Sequence, residues 1–232
     1  ATVNRELAVL SHLLNKALEW RWLKAMPAKI RRFREGPGRI VYLTKEQCVR
    51  LEAAAAQDQN ENVHAFILVG LRTGMRHAEI LSIKREHIDL ERRVIWIPKA
   101  KAGAREQPIT ADLANRLAQR LAMLPPGCPW LFPSPGSLAG NAHTIRKAFR
   151  RSVVRAGLDP DQITPHTLRH TVVTHLLQAG VDLPTVQRIS GHKTLVMVAR
   201  YAHQSGAHIQ AAMSQLDARL RKAEQGGQKE AS

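Results

Sequence analysis

The chain has 232 residues, 44% of them hydrophobic, which is enough for a packed core and excludes a disordered tail. Its two cysteines, Cys48 and Cys128, lie 80 positions apart, so neither a disulfide framework nor a zinc-ligand spacing can be built, and a reducing cytoplasm is the expected setting. No long apolar run or basic-then-apolar leader is present, so no membrane helix or signal peptide is expected, while 35 Lys and Arg against 19 Asp and Glu give a formal charge of +16 that suits nucleic acid, with ribosome association, a membrane surface or simply a basic proteome as alternatives.

Residues 3–24 read as a helix, because Val3, Leu7, Leu10, Leu14, Ala17 and Leu18 form one apolar stripe, and Pro27 should end it. A lone stripe needs a cover. The chain also starts with Ala rather than Met, so the expectation is a fragment of a longer protein whose preceding part supplied that cover. Residues 28–43 are basic and rich in Gly and Pro, as in an interdomain linker, whether one running over a phosphate backbone or an ordinary solvated one.

A second unit is expected over 44–223, with a polar tail over 224–232. Thr44-Lys45-Glu46-Gln47 fits a capping box, with a helix to about Gln57. Residues 62–73 form an apolar helix that Gly74 breaks, and a short helix follows from His77 to about Ile83. Ile88–Leu90, Val94–Pro98 and Arg105–Ile109 read as short strands, the last two joined by a flexible basic tip carrying Lys99 and Lys101. Thr110 caps a helix to about Met123, a five-proline loop spans 125–135, and 141–156 is a basic helix. Thr164-Pro165 is a strong helix start, with Gly180 as the stop. Helices over 184–190, 194–202 and 206–223 complete the pattern. The predicted fold class is mainly α with a small antiparallel β-sheet.

Three segments carry chemistry. His166, Arg169 and His170 stand at i, i+3 and i+4, so they share one helix face. A guanidinium between two histidines repels a metal ion and suits an anion such as phosphate, although a two-histidine metal site and a neutral structural role remain alternatives. Arg76 follows the Gly74 turn at a helix start, where backbone N–H groups favour an anion, and Glu79 one turn later can hold it; alone it would be an ordinary surface arginine. Gly191-His192 and then Tyr201 close the set, and taken alone a tyrosine near a histidine is usually core.

Together, Thr-Gly-Met-Arg-His-Ala-Glu at 73–79, His-Thr-Leu-Arg-His at 166–170, Gly191-His192 and Tyr201 resemble the tyrosine recombinases, also called phage integrases, in order and in spacing. The interval from Arg169 to His192 is 23 positions and from His192 to Tyr201 nine, both characteristic of that family. The resemblance covers about residues 40–220, and the first helix looks like the end of the family's core-binding domain.

It implies the DNA breaking-rejoining catalytic fold and a residue-by-residue assignment. Arg76 matches the first catalytic arginine, His166 and Arg169 the His-x-x-Arg box, His192 the family's His or Trp position, and Tyr201 the nucleophile. Lys101 is preferred over Lys99 as the catalytic lysine because it precedes a small residue and Gly. Glu79, Lys99 and His170 are supporting. The implied chemistry is site-specific recombination through a 3′-phosphotyrosyl link and a four-way junction, with no metal, ATP or other cofactor. Arg76, Arg169 and His192 would hold the phosphoryl oxygens, and losing one such donor typically costs about 3–4 kcal/mol. Nearby cations would favour the Tyr201 phenolate, with His166 a candidate base and Lys101 the acid.

The implied partners are double-stranded DNA and copies of the chain, in a tetramer on paired sites, with a further N-terminal DNA-binding domain in the full-length protein. The setting would be the bacterial or phage-infected cytoplasm, at the nucleoid. Ile209, Met213, Leu216 and Leu220 on the last helix either pack on their own domain or dock on a neighbouring copy. The rival readings are topoisomerase IB-like relaxation, a catalytically silent DNA-binding module, and a metal-dependent nuclease.

Overall fold

The computed structural model describes residues 2–34, 40–99, 103–202 and 214. The chain divides into two compact units, Ala1–Ile40 and Val41–Ser232. The first holds helix α1, Thr2–Glu19, which buries none of its residues. It ends before Pro27 is reached: Arg21 turns left-handed (φ 61°), and Trp22 N–H donates back to the Ala17 carbonyl at 2.8 Å. That reversed closing bond satisfies a carbonyl the helix would otherwise leave open. Asn4 then ties the following extended stretch to α1, donating to the Phe33 carbonyl (2.9 Å) and accepting from Phe33 N–H (2.8 Å).

The second unit is mostly helical with one small sheet. In chain order it contains α2 (Lys45–Ala56), α3 (Glu61–Thr73), α4 (His77–Leu81), β1 (Ile88–Asp89), β2 (Val94–Ile97), β3 (Arg105–Pro108), α5 (Ala111–Met123), α6 (Arg146–Arg155), α7 (Pro165–Gln178), α8 (Leu183–Ser190) and α9 (Leu195–Ala202). The capping box at Thr44 forms: its hydroxyl accepts from Gln47 N–H (3.2 Å), and Gln47 Oε1 accepts from Thr44 N–H (2.8 Å). The strands pair antiparallel in the order β1-β2-β3, with Ile95 opposite Gln107 and Ile97 opposite Arg105. Ile95 and Ile97 face the core while Trp96 points outward, the alternation of a one-sided sheet.

A further boundary differs from the sequence reading for a physical reason. Residues 141–145 are not helical, because Asn141 Nδ2 donates to the Leu81 carbonyl (3.0 Å) and Ala142 N–H to the Phe132 carbonyl (2.9 Å). These bonds pin the stretch beside the proline-rich loop, and α6 starts only at Arg146. The helix expected over 206–223, its docking role and the 224–232 tail lie outside the described residues, residue 214 apart.

The core gathers where α3 lies on α7 and α2. Phe66 of α3 meets Phe132 and Phe149 edge-on, at 6.4 and 6.5 Å between ring centres. α3 ends at Gly74, whose φ of 65° is left-handed and whose Cα lies so close to Val172 of α7 that an added Cβ would stand 3.2 Å from that side chain. A residue with a side chain would be both strained and crowded there. This close approach brings the Arg76 turn against the first half of α7. No described helix is long and apolar enough to cross a membrane.

Candidate active site

Three pieces of backbone converge: the Gly74–Arg76 turn, the start of α7, and the turn Ser190–His192 that ends α8. Arginines hold them together. Arg169, only 2% exposed, donates through Nη1 to the Gly74 carbonyl (2.9 Å) and to the Ser190 carbonyl. Its Nη2 is buried with no hydrogen-bond partner among the described residues. Buried donors are nearly always paired, so this one marks a place for an acceptor. Burial, then the neighbouring Arg76, pushes the Arg169 pKa down to about 10, which leaves it charged at neutral pH. Arg76 donates through Nη2 to the Gly191 carbonyl (3.0 Å) and through Nη1 to Glu79 Oε1 (2.9 Å).

Glu79 is the hub beneath these cations. Besides Arg76 Nη1, its carboxylate accepts from Arg76 N–H (3.1 Å) and from Arg105 Nη2 (3.1 Å). Burial works against its charge, but the bonds and charges of Arg105, then Arg76, outweigh it and hold the carboxyl below its ordinary range. A depressed folded-state pKa contributes stability that is present above the unfolded value and lost as pH falls through the folded one. Glu79→Gln should therefore lower stability by about 1–3 kcal/mol at pH 7. The gap to wild type should shrink below about pH 4. Urea titrations at pH 7 and pH 3.5 check this, and an equal gap at both would refute the linkage.

The histidines and the tyrosine meet over α7. Tyr201 Oη lies 2.5 Å from His170 Nδ1. His166 stacks edge-on against His170, at 4.5 Å between ring centres, and His192 lies 6.2 Å from the Tyr201 ring. Burial is the first cause of every shift here. It lowers His166, brings His170 down to about 4 and His192 to about 3, with Arg169 adding to all three. Burial also raises Tyr201, with Arg169 and Arg200 working the other way. The phenolate expected from nearby cations is thus not preformed: desolvation outweighs them, and the phenol needs a base. The neutral His170 shares a hydrogen bond with that hydroxyl through Nδ1, and it can accept the phenol proton there when its own proton sits on Nε2.

Arg76, Glu79, His166, Arg169, His170, His192 and Tyr201 are thus brought together. Lys99 is exposed, and Lys101 lies outside the described residues. Among the described residues no three His, Cys, Asp or Glu side chains are grouped to hold a metal.

Two residues escaped the sequence reading. Arg105 reaches Glu79 from β3 and lies against Gly191, where an added Cβ would stand 2.7 Å from its guanidinium carbon. Gly191 itself has a left-handed φ of 64°. A period-two reading of β3 could have found Arg105, since it and Gln107 sit opposite the inward-facing Ile97 and Ile95. Ser190, buried at the α8 end with its hydroxyl 2.7 Å from His192 Nδ1, carries no sequence signal beyond its place before Gly-His.

The model of the phage integrase family matches residues 41–208. A putative integrase of Pseudomonas phage Pf1 is 32% identical over 216 residues, covering 92% of this chain and 60% of that protein. Tyrosine recombinase XerD of Caulobacter vibrioides is 30% identical over 179 residues, covering 72% of this chain and 58% of its own length. Among solved structures, the XerH site-specific recombinase bound to a palindromic difH substrate, in a post-cleavage complex, superposes with a TM-score of 0.63 at 25% identity, covering 75% of this chain and 53% of that one. The chain spans less than two thirds of the two curated relatives.

Proposed function

The chain belongs to the phage integrase family, and from that membership we propose that it is the catalytic part of a site-specific DNA recombinase whose nucleophile is Tyr201. One observation carries the reading: the Tyr201 hydroxyl is hydrogen-bonded to a neutral histidine beside a buried arginine that has an unpartnered donor. A phosphodiester placed there would receive Arg169 Nη2, with Arg76 and His192 alongside. Preorganised guanidinium donors of this kind act on the charge that develops on the phosphoryl oxygens.

In this mechanism Tyr201 Oη bonds to phosphorus and its proton passes to His170 Nδ1. The bond from phosphorus to the 5′ oxygen breaks, and Lys101 gives that oxygen a proton. The 3′-phosphotyrosyl link keeps the energy of the broken bond, and the 5′ hydroxyl of a second strand reverses the steps. Two such rounds through a four-way junction recombine two duplexes, with four copies of the chain on a pair of sites. The charge of +16 supports a double-stranded DNA partner and binding that weakens steeply with salt. The working place would be the cytoplasm of a bacterium, at the nucleoid.

The test is a nicked suicide duplex drawn from a pool of candidate sites, in EDTA. An SDS-stable adduct supports the reading. Tight DNA binding without an adduct would overturn it in favour of a silent binding module, and relaxation of supercoiled plasmid without exchange between two sites would favour a topoisomerase.

The choice of base gives a separate prediction. A 5′-bridging phosphorothiolate leaves without needing an acid. His170→Ala should cleave about 10²–10⁴-fold slower on both oxygen and sulfur substrates. Lys101→Ala should be slow on oxygen alone. Rescue of His170→Ala by sulfur would remove His170 from the nucleophile side.

A further inference from the structure

Ser190 is fully buried at the last turn of α8. Its hydroxyl oxygen lies 2.6 Å from the Val186 carbonyl oxygen and 2.7 Å from His192 Nδ1, with the Gln187 carbonyl 3.4 Å away. A serine hydroxyl has one proton, and a carbonyl oxygen can only accept. Both short contacts are hydrogen bonds in one arrangement alone: Ser190 donates to Val186, and His192 Nδ1–H donates to Ser190. If Ser190 instead donated to a bare Nδ1, its lone pairs would face the Val186 carbonyl at 2.6 Å in a buried place.

Side-chain donors pin three successive carbonyls of this turn. Gln187 Nε2 donates to the His192 carbonyl (3.2 Å), Arg76 binds the Gly191 carbonyl, and Arg169 binds that of Ser190. The other imidazole nitrogen, Nε2, has no hydrogen bond among the described residues.

We propose that Ser190 is a positioning residue that fixes His192 as the Nδ1–H tautomer and so leaves a bare Nε2 for the phosphate site. The inference rests on the recombinase reading only for the identity of that phosphate. It reverses the simple expectation for this histidine. A neutral Nδ1–H imidazole cannot donate from Nε2, so His192 becomes a donor only by taking a proton there.

The surroundings make that step depend on an anion. The charges of Arg169, His166 and His170 of α7 and of Arg76 all act against a proton on the ring, Arg105 of β3 lines the same pocket, and the Tyr201 ring of α9 lies 6.2 Å away. Burial, with Arg169 and Arg76 next, holds His192 neutral while the site lacks an anion, and a phosphodiester charge opposes that effect.

The test uses the whole chain labelled with ¹⁵N-histidine, read without DNA by two-bond nitrogen–proton correlation, with His192 identified through His192→Gln. At pH 7 the wild type should show His192 with its proton on Nδ1. Ser190→Ala should move it to Nε2, the form imidazole prefers in water, and Ser190→Thr should restore the wild-type pattern. A wild-type His192 protonated on Nε2 overturns the proposal, as does an unchanged tautomer in a folded Ser190→Ala. Should that variant not fold, the wild-type tautomer decides alone. A protein that forms no adduct yet shows Nδ1–H fails the recombinase reading only. An active protein with Nε2–H fails this inference only.

Discussion

Tyr201→Phe is expected to fold, to bind duplex DNA as the wild type does, and to give no covalent adduct on a nicked substrate. The loss should be at least ~10⁴-fold, the scale set by removing a nucleophile from an otherwise intact site. The substitution removes one oxygen. It leaves the ring, which is 5% exposed, packed against His170 and His192. His170 Nδ1 loses its partner, and a partly buried polar atom left alone costs about 1–3 kcal/mol. That cost should appear as a lower denaturation midpoint, not as lost DNA binding. The check is an SDS gel of wild type and variant, both in EDTA. An adduct that persists in Tyr201→Phe would mean that another residue attacks the phosphate.

Arg169→Lys is the second large effect, and it should strike stability and chemistry together. Arg169 bridges two turns by binding the carbonyls of Gly74 and Ser190, and keeps Nη2 free for the phosphate. A lysine retains the charge, but its ammonium stands one bond short of the position of Nη1, which binds both carbonyls, and it has no second nitrogen to replace Nη2. At least one carbonyl would be left buried without a donor, costing about 1–3 kcal/mol. Cleavage should fall about 10²–10³-fold through the lost phosphate donor. Urea titration should show a lower midpoint with an unchanged slope, since the same surface is exposed on unfolding. Unchanged stability would mean that the two carbonyl bonds contribute nothing net, and unchanged cleavage would take Arg169 away from the phosphate.

These two side chains differ in how readable they were. Arg169 stands out because a guanidinium at i+3 between histidines at i and i+4 makes one polar face on a helix otherwise full of Thr, Leu and Val. Its bridging of Gly74 and Ser190 is not local and was not legible, for the partners lie 95 and 21 positions away. Glu79 was legible as a holder of Arg76, one turn from it. That the same carboxylate also binds Arg105, 26 positions on, depends on where the sheet packs.

Taken by itself, the sequence determined the local features. The capping box at Thr44, the break at Gly74, the helix start at Thr164-Pro165 and the shared face of His166, Arg169 and His170 all follow from bonds and periodicities within a few residues. The spacing of the four boxes carried the family. Only the tertiary structure decided which histidine meets the tyrosine. His166 and His170 lie on the same face of α7, and nothing within five residues separates their claims. The packing of α9 on α7 sets Tyr201 against His170, 31 positions away, and burial then raises the phenol instead of ionising it. Desolvation and long-range contact depend on which surfaces come together, and a one-dimensional pattern does not contain that information.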